Sequence, residues 1–209
     1  MSEAVFRTVL RDTEIEIEEK RSTFIAAVRR VESEEEALAF VKKRKKLHPD
    51  ARHTVFAYLL RKGAARYSDD AEPQGTAGMP TLEAIRRAQL SDVVVVTTRY
   101  FGGILLGAGG LTRAYAAAAY QALEQAGVAE YIPFAYFSLE CSYSEQPKLE
   151  HELQRFSQCT VRCDFAECVH MEIGIPAEQA DELCLRITEL TAGRCVPIQR
   201  EERLGLRAK

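Results

Sequence analysis

The sequence predicts an α+β protein of two domains, residues 1–132 and 133–209. Segments with the period of strands are interspersed with segments of helical period. From Phe134 the segments run β-α-β-β-α-β, the order of a ferredoxin-like domain, and Pro133 marks the boundary. A composition of 46% hydrophobic and 28% charged residues is that of a globular protein with a sizeable core.

Residues 14–19 and 23–31 form the first strand pair, in which Ile15 and Ile17 alternate with glutamates as on a half-buried strand. A helix opens at Ser33, whose spacing to Glu36 is that of a capping box, with Ala37, Leu38 and Val41 as its apolar stripe. It ends in KKRKK (42–46), a basic run that suits the C-terminal end of a helix dipole and is also compatible with a nucleic-acid patch. Residues 53–61 are the next strand, followed by a loop over 68–80 and a short helix over 81–88. The continuous apolar run in 92–98 predicts a central strand covered on both faces. An alanine-rich helix over 111–126 ends at Gly127. In the second domain Phe137, Leu139, Cys141 and Tyr143 share a strand face, and Ser144 caps a helix with the stripe Leu149, Leu153 and Phe156. Val161, Cys163 and Phe165 line the next strand, and Val169, Met171, Ile173 and Ile175 the one after it. Ala180, Leu183, Cys184 and Ile187 fit a second helix that closes near Gly193. Residues 194–200, with Val196 and Ile198, are the last strand.

No apolar run reaches the roughly 18 residues of a membrane span, so no membrane partner is expected. The start, MSEAVFRTVLRD, lacks the basic-then-apolar pattern of a secretory leader. The expected setting is cytoplasmic, where the six cysteines, all beyond Pro133, stay reduced, and a monomer is expected. The net charge of −3 divides into 19 Lys/Arg against 18 Asp/Glu up to Pro133, and 9 against 13 beyond it. Neither half is basic enough for nucleic-acid binding to follow from charge.

Seven of the 12 glycines lie between Gly75 and Gly110, in SDDAEPQGTAGMP (68–80) and RYFGGILLGAGGLTRAY (99–115). Glycine is costly to order and serves where backbone turns tightly or approaches something closely. The two loops therefore read as a binding site made of backbone, with Gly75, Thr76 and Gly78 in the first and Gly102, Gly103, Gly107, Gly109 and Gly110 in the second. The second loop runs into a helix start, where free amides favour an anion, Thr112 adds a hydroxyl and Arg113 a charge. Its spacing is neither that of a Walker A loop nor that of a dinucleotide fingerprint. Arg99, Tyr100 and Phe101 put a cation and two rings beside the glycines, which suit stacking on bases or on a peptide if exposed, while Tyr100 and Phe101 are ordinary core if buried. Asp69, Asp70 and Glu72 have the donor type for Mg²⁺, although three acids in four residues are more often a solvated turn. No cofactor is expected. His48 and His53, which bracket HPDARH, have base chemistry at neutral pH, but the nearest hydroxyl, Ser68, lacks a GxSxG context. Cys159, Cys163, Cys168 and His170 suggest zinc at first sight. Strand parity sends the first two inward and the last two outward, so thiols packed as small hydrophobes are expected and no metal site.

With Lys20-Arg21-Ser22, HPDARH and the two long glycine motifs, the sequence resembles the IMPACT family in its bacterial YigZ-type form, over most of residues 15–127. The resemblance implies a first domain with the fold seen in a small-subunit ribosomal protein and in elongation factor G. It also implies a ferredoxin-like second domain similar to another elongation-factor domain. In eukaryotic relatives, which carry an extra N-terminal domain, it implies regulation of translation in the stress response, by competition for a partner of a stress kinase. Three functions stand as expectations. The first is a non-enzymatic translation-linked regulator that binds the ribosome, structured RNA or a translation factor through a glycine-rich anion-binding cleft. The second is a Mg²⁺-dependent enzyme acting on a phosphorylated small molecule or nucleotide, with His53 as base. The third is a protein-interaction module using the acidic second domain.

Overall fold

In the computed structural model residues 5–207 are described; the first four residues of the stretch read for a leader, and the last two of the chain, lie outside them. The chain divides into two compact units, Phe6–Ala129 and the chain from Glu130 onward. The described residues form two antiparallel sheets and five α-helices, an α+β architecture.

The first unit contains β1 (Phe6–Val9), β2 (Thr13–Glu19), β3 (Ser22–Arg30), α1 (Glu34–Leu47), β4 (His53–Leu59), β5 (Ala65–Ser68), α2 (Gly78–Arg87), β6 (Val93–Tyr100) and α3 (Gly107–Ala126). Five strands pair antiparallel in the order β2-β3-β6-β4-β5. The valines of β6 explain its central place. Val93 and Val95 join the core with residues of α2 and α3, while Val94 and Val96 join a second core with Phe40 of α1. All four are fully buried, so this strand has apolar contacts on both faces. Ile15 and Ile17 of β2 pack on the first core, and Glu14, Glu16 and Glu18, which alternate with them, are exposed.

At the start of α1, Ser33 Oγ accepts from the Glu36 amide at 3.2 Å. The Glu36 carboxylate takes the Glu32 amide at 2.8 Å, one residue earlier than a capping box requires. The buried stripe is Ala37, Phe40 and Arg44; Leu38 lies about 100° around the helix from Ala37 and is exposed. Both glycine-led helices begin earlier than expected, α2 at the buried Gly78 and α3 at the exposed Gly107. β1 and β5, which were not anticipated, are short strands without a distinct alternation.

The second unit contains β7 (Val128–Cys141), α4 (Gln146–Leu153), β8 (Thr160–Phe165), β9 (Val169–Pro176), α5 (Ala180–Leu190) and β10 (Ile198–Arg207). Its strands pair antiparallel in the order β10-β7-β9-β8. Phe137, Leu139, Met171, Ile173 and Ile175 on one sheet face pack against Leu149, Leu153, Leu183 and Ile187 of the two helices. The other face carries charged side chains and lines an open cavity of about 800 Å³. Several expectations change here. Glu145 rather than Ser144 is the N-cap residue of α4, and Tyr143 lies exposed beyond the end of β7. Val161 and Phe165 are exposed because β8 is the edge of its sheet. The last strand runs later than expected, leaving Val196 exposed before it. Among the described residues no helix is long and apolar enough to cross a membrane.

Candidate functional site

The first glycine loop closes on itself. Asp69 Oδ1 accepts from the amides of Ala77 at 3.0 Å and Gly78 at 2.7 Å, and its Oδ2 from the amide of Gly75 at 2.9 Å. The start of α2 thus receives a carboxylate from its own chain, the charge that a helix N-terminus favours. The Thr76 hydroxyl is spent on Pro73 O at 2.6 Å. Asp70 Oδ2 accepts from the Thr54 amide at 2.6 Å, and its Oδ1 lies 3.4 Å from Lys45 Nζ. Glu72 turns inward, where Oε1 accepts from Arg99 Nη1 at 2.7 Å and from the Tyr115 hydroxyl at 2.8 Å. The three acids read as a possible Mg²⁺ set point three ways, each towards partners of its own.

Glu72, Arg99 and Tyr115 are the centre of a buried polar cluster that ties the first loop to the end of β6 and to α3. Arg99 is 5% exposed, with its guanidinium 5.5 Å from the ring centres of both Phe24 and Phe101. Arg99 is therefore buried, its charge met by Glu72 rather than offered to bases, while Phe101 is exposed. Its Nη2 reaches Ser22 Oγ at 3.4 Å, and its Nε is buried without a hydrogen-bond partner. Burial, and then the charge of Glu72, push the Tyr115 phenol far above its ordinary pKa, so it acts as a fixed donor. His53 completes the cluster: Nδ1 donates to Asp70 O at 2.7 Å, and Nε2 lies 3.8 Å from Glu72 Oε1.

On the α1 side of β6 the half-buried Tyr100 meets His48, with its hydroxyl 2.9 Å from Nδ1. His48 Nε2 faces Arg44 Nη2 at 3.0 Å. A guanidinium only donates, so Nε2 accepts and Nδ1 carries the proton. Burial, followed by the charge of Arg44, lowers the His48 pKa and keeps the ring neutral. Arg44 is itself buried and ion-paired with Glu14, so the basic run has one structural member, and its four lysines are exposed.

The second glycine loop stays open. α3 begins at Gly107 with Leu106 at the N-cap position and no side chain capping it. Gly107, Ala108 and Gly109 are exposed, as are Gly103 and Leu105 at the tip of the preceding loop. The Thr112 hydroxyl turns back to Ala108 O at 3.1 Å instead of adding a donor to the helix start. Arg113 is exposed, and a Cβ placed on Gly109 would lie 3.6 Å from its Nη1. Beside it stands the β2–β3 turn, where Lys20 and Arg21 have φ of +49° and +64°, a hairpin turn of the primed type made without glycine. Gly102 makes that turn fit, since a Cβ there would come within 1.9 Å of Arg21 O. Glu19, Lys20, Leu106, Gly110 and Arg113 line a cleft of about 240 Å³, so two cations and one carboxylate face it.

The structure therefore brings Gly110 and Arg113 together with Lys20 at one cleft, with Gly109 beside Arg113, and it sets Gly75, Thr76 and Gly78 in a loop closed by Asp69 while Asp70 and Glu72 reach partners outside that loop. Tyr115 was missed as a cluster member; its one signal was a large polar-tipped ring amid the alanines of α3.

Residues 20–123 match the family model described as the Impact N-terminal domain, and residues 139–194 match a domain of unknown function, DUF1949. Among curated relatives, IMPACT family member YvyE of Bacillus subtilis (strain 168) is 36% identical over 90% of this chain and 87% of its own. IMPACT family member YigZ of Escherichia coli (strain K12) is 33% identical over 83% of this chain and 87% of its own. A crystal structure described only as that of a hypothetical protein superposes with a TM-score of 0.61 at 29% identity, covering 96% of this chain and 98% of that one.

Proposed function

This chain belongs to the IMPACT family, and from that premise we propose that it is a cytoplasmic, non-enzymatic, translation-linked regulator that binds the phosphate backbone of structured RNA, free or on the ribosome. The phosphate sits at the start of α3, between the amides of Gly107 to Gly109 and the cations Lys20 and Arg113. One observation carries this reading: of two helices led by glycine loops, α2 is closed by Asp69, while α3 is uncapped beside a cleft whose two cations, Lys20 and Arg113, outnumber its one acid, Glu19. Arg99, buried against Glu72, acts as the strut that holds the loop. The strand order β10-β7-β9-β8 supports a ferredoxin-like second domain, and the family resemblance supports a first domain of the ribosomal-protein and elongation-factor type. The Mg²⁺-dependent enzyme gains no support, because its acids are engaged by amides, Lys45 and Arg99.

Co-sedimentation with ribosomes, and crosslinking, at low and at moderate salt test the proposal with the wild type beside Lys20→Ala, Arg113→Ala and Gly109→Ala. Association that falls with salt and weakens in all three variants is expected, since phosphate contacts release counterions. Association absent at both salts, or indifferent to salt and to the variants, overturns it.

A further inference from the structure

The open sheet face of the second unit holds a cluster that the translation reading does not use. We propose that Glu140, Cys168 and His170 bind a divalent transition-metal ion, with Zn²⁺ the best match to their donors. The strand register assembles them. Glu140 of β7 stands opposite His170 of β9, and Asp164 of β8 stands opposite His170 from the other side. Cys168, in the bend just before β9, reaches the same side as His170. His170 Nδ1 lies 3.4 Å from Glu140 Oε1, and its Nε2 lies 3.6 Å from Cys168 Sγ. One donor atom from each of the three lies within 4.8 Å of the other two.

Tetrahedral zinc, with ligand bonds of about 2.0–2.3 Å, holds its donor atoms about 3.5 Å apart. Zinc takes only one ring nitrogen, so the His170 ring, which reaches Glu140 with one nitrogen and Cys168 with the other, must turn while the donor atoms draw together by on the order of 1 Å. The Glu140 and His170 side chains are 72% and 50% exposed, so turning them disturbs little packing. Thiolate, imidazole and carboxylate together select a borderline ion over Mg²⁺ or Ca²⁺. Asp164, which with Glu140 and His170 lines the open cavity, or a water entering from that cavity, supplies the fourth position. Strand parity does set Cys159 and Cys163 apart, packed against the core on the helix side. The third donor comes instead from Glu140, a residue that only the β7–β9 register brings alongside.

Reduced, metal-stripped full-length protein titrated with Co²⁺ provides the test. One Co²⁺ per chain is expected, with a thiolate-to-cobalt charge-transfer band that Zn²⁺ removes by displacement and that Cys168→Ser abolishes. His170→Ala and Glu140→Gln should weaken binding by about tenfold or more. Cys163→Ser, on the opposite face, should leave it intact. Binding should strengthen as pH rises, because the thiol must lose its proton. Glu140 and His170 are exposed and the two cysteines half-buried, so unchanged circular dichroism verifies the fold of each variant. A band that survives Cys168→Ser, or no band at saturating Co²⁺, overturns the proposal.

Discussion

α2 and α3 both follow a glycine-rich loop, and both place an apolar residue, Ala77 or Leu106, where a helix favours Ser, Thr, Asp or Asn. They resolve the resulting shortage of acceptors in opposite ways. For α2 the loop folds back and Asp69 supplies the anion to three amides. For α3, which is 20 residues long, no side chain arrives, and two basic residues border the neighbouring cleft. Motif density alone does not tell a binding loop from a self-satisfied one; the difference is whether an acceptor from the same chain already occupies the amides.

The largest expected effect falls on the cluster that joins the two loops. Glu72→Ala removes the only carboxylate within hydrogen-bond distance of Arg99 and Tyr115 among the described residues, and leaves a buried guanidinium uncompensated. Such a loss costs about 3–5 kcal/mol, read as a lowered denaturant midpoint. Glu72→Gln, which still accepts from Tyr115, should lose less. A loss below about 1 kcal/mol, the scale of an exposed pair, would show that the cluster is not what holds the loops.

Asp69→Ala comes next. It withdraws an ionised acceptor from three amides, a change worth about 2 kcal/mol given roughly 1.5–3 for hydrogen bonds to charged groups. It also converts the closed helix start into an open one. Sulfate should then raise the melting temperature of the variant more than that of the wild type, because an anion binding only the folded state stabilises it by mass action. Equal shifts in both proteins would break the comparison between α2 and α3.

Much of the fold was legible in single residues. Val93 to Val96 announced a strand covered on both sides, and Ile15 and Ile17 a half-buried one, because burial and periodicity are local properties of the chain. Leu38 misled, since a stripe in a short amphipathic helix can be shifted by one position without changing its composition. The acid trio was not legible as it stands. Whether Asp69 meets a metal or an amide depends on how the loop closes, and Glu72 meets Arg99 across 27 positions of sequence. Glu140 and His170 show the same limit, because neighbours across a sheet follow from strand register, which no local pattern in either strand contains.

A smaller effect is expected in binding alone. Lys20→Ala and Arg113→Ala remove exposed cations without internal partners of the Glu72 kind, so stability should stay within about 0.5 kcal/mol of wild type. Each should lower the slope of log affinity for structured RNA against log salt by about 1. Arg99→Lys, by contrast, should act on stability first. A slope unchanged in both surface variants would remove the cations of this cleft from the proposed contact.

The finest distinction lies between two glycines of the first helical turns, Gly78, the first residue of α2, and Gly109, the third of α3. A Cβ on Gly78 would meet the backbone of Ser68 at 2.8 Å, where nothing can yield cheaply. Gly78→Ala should therefore destabilise the fold. A Cβ on Gly109 would meet only the flexible end of Arg113 at 3.6 Å, and φ there is helical. Gly109→Ala should then stabilise α3, by up to about 1 kcal/mol, the helix propensity difference between the two residues. A glycine that the helix itself does not require leaves its amide open to something approaching from outside. Gly109→Ala should raise the melting temperature while weakening RNA association, a pair of opposite signs that a purely structural glycine does not give. If stability rises and association is untouched, the amides of this turn are not the contact, and the comparison between the two helix starts describes folding alone.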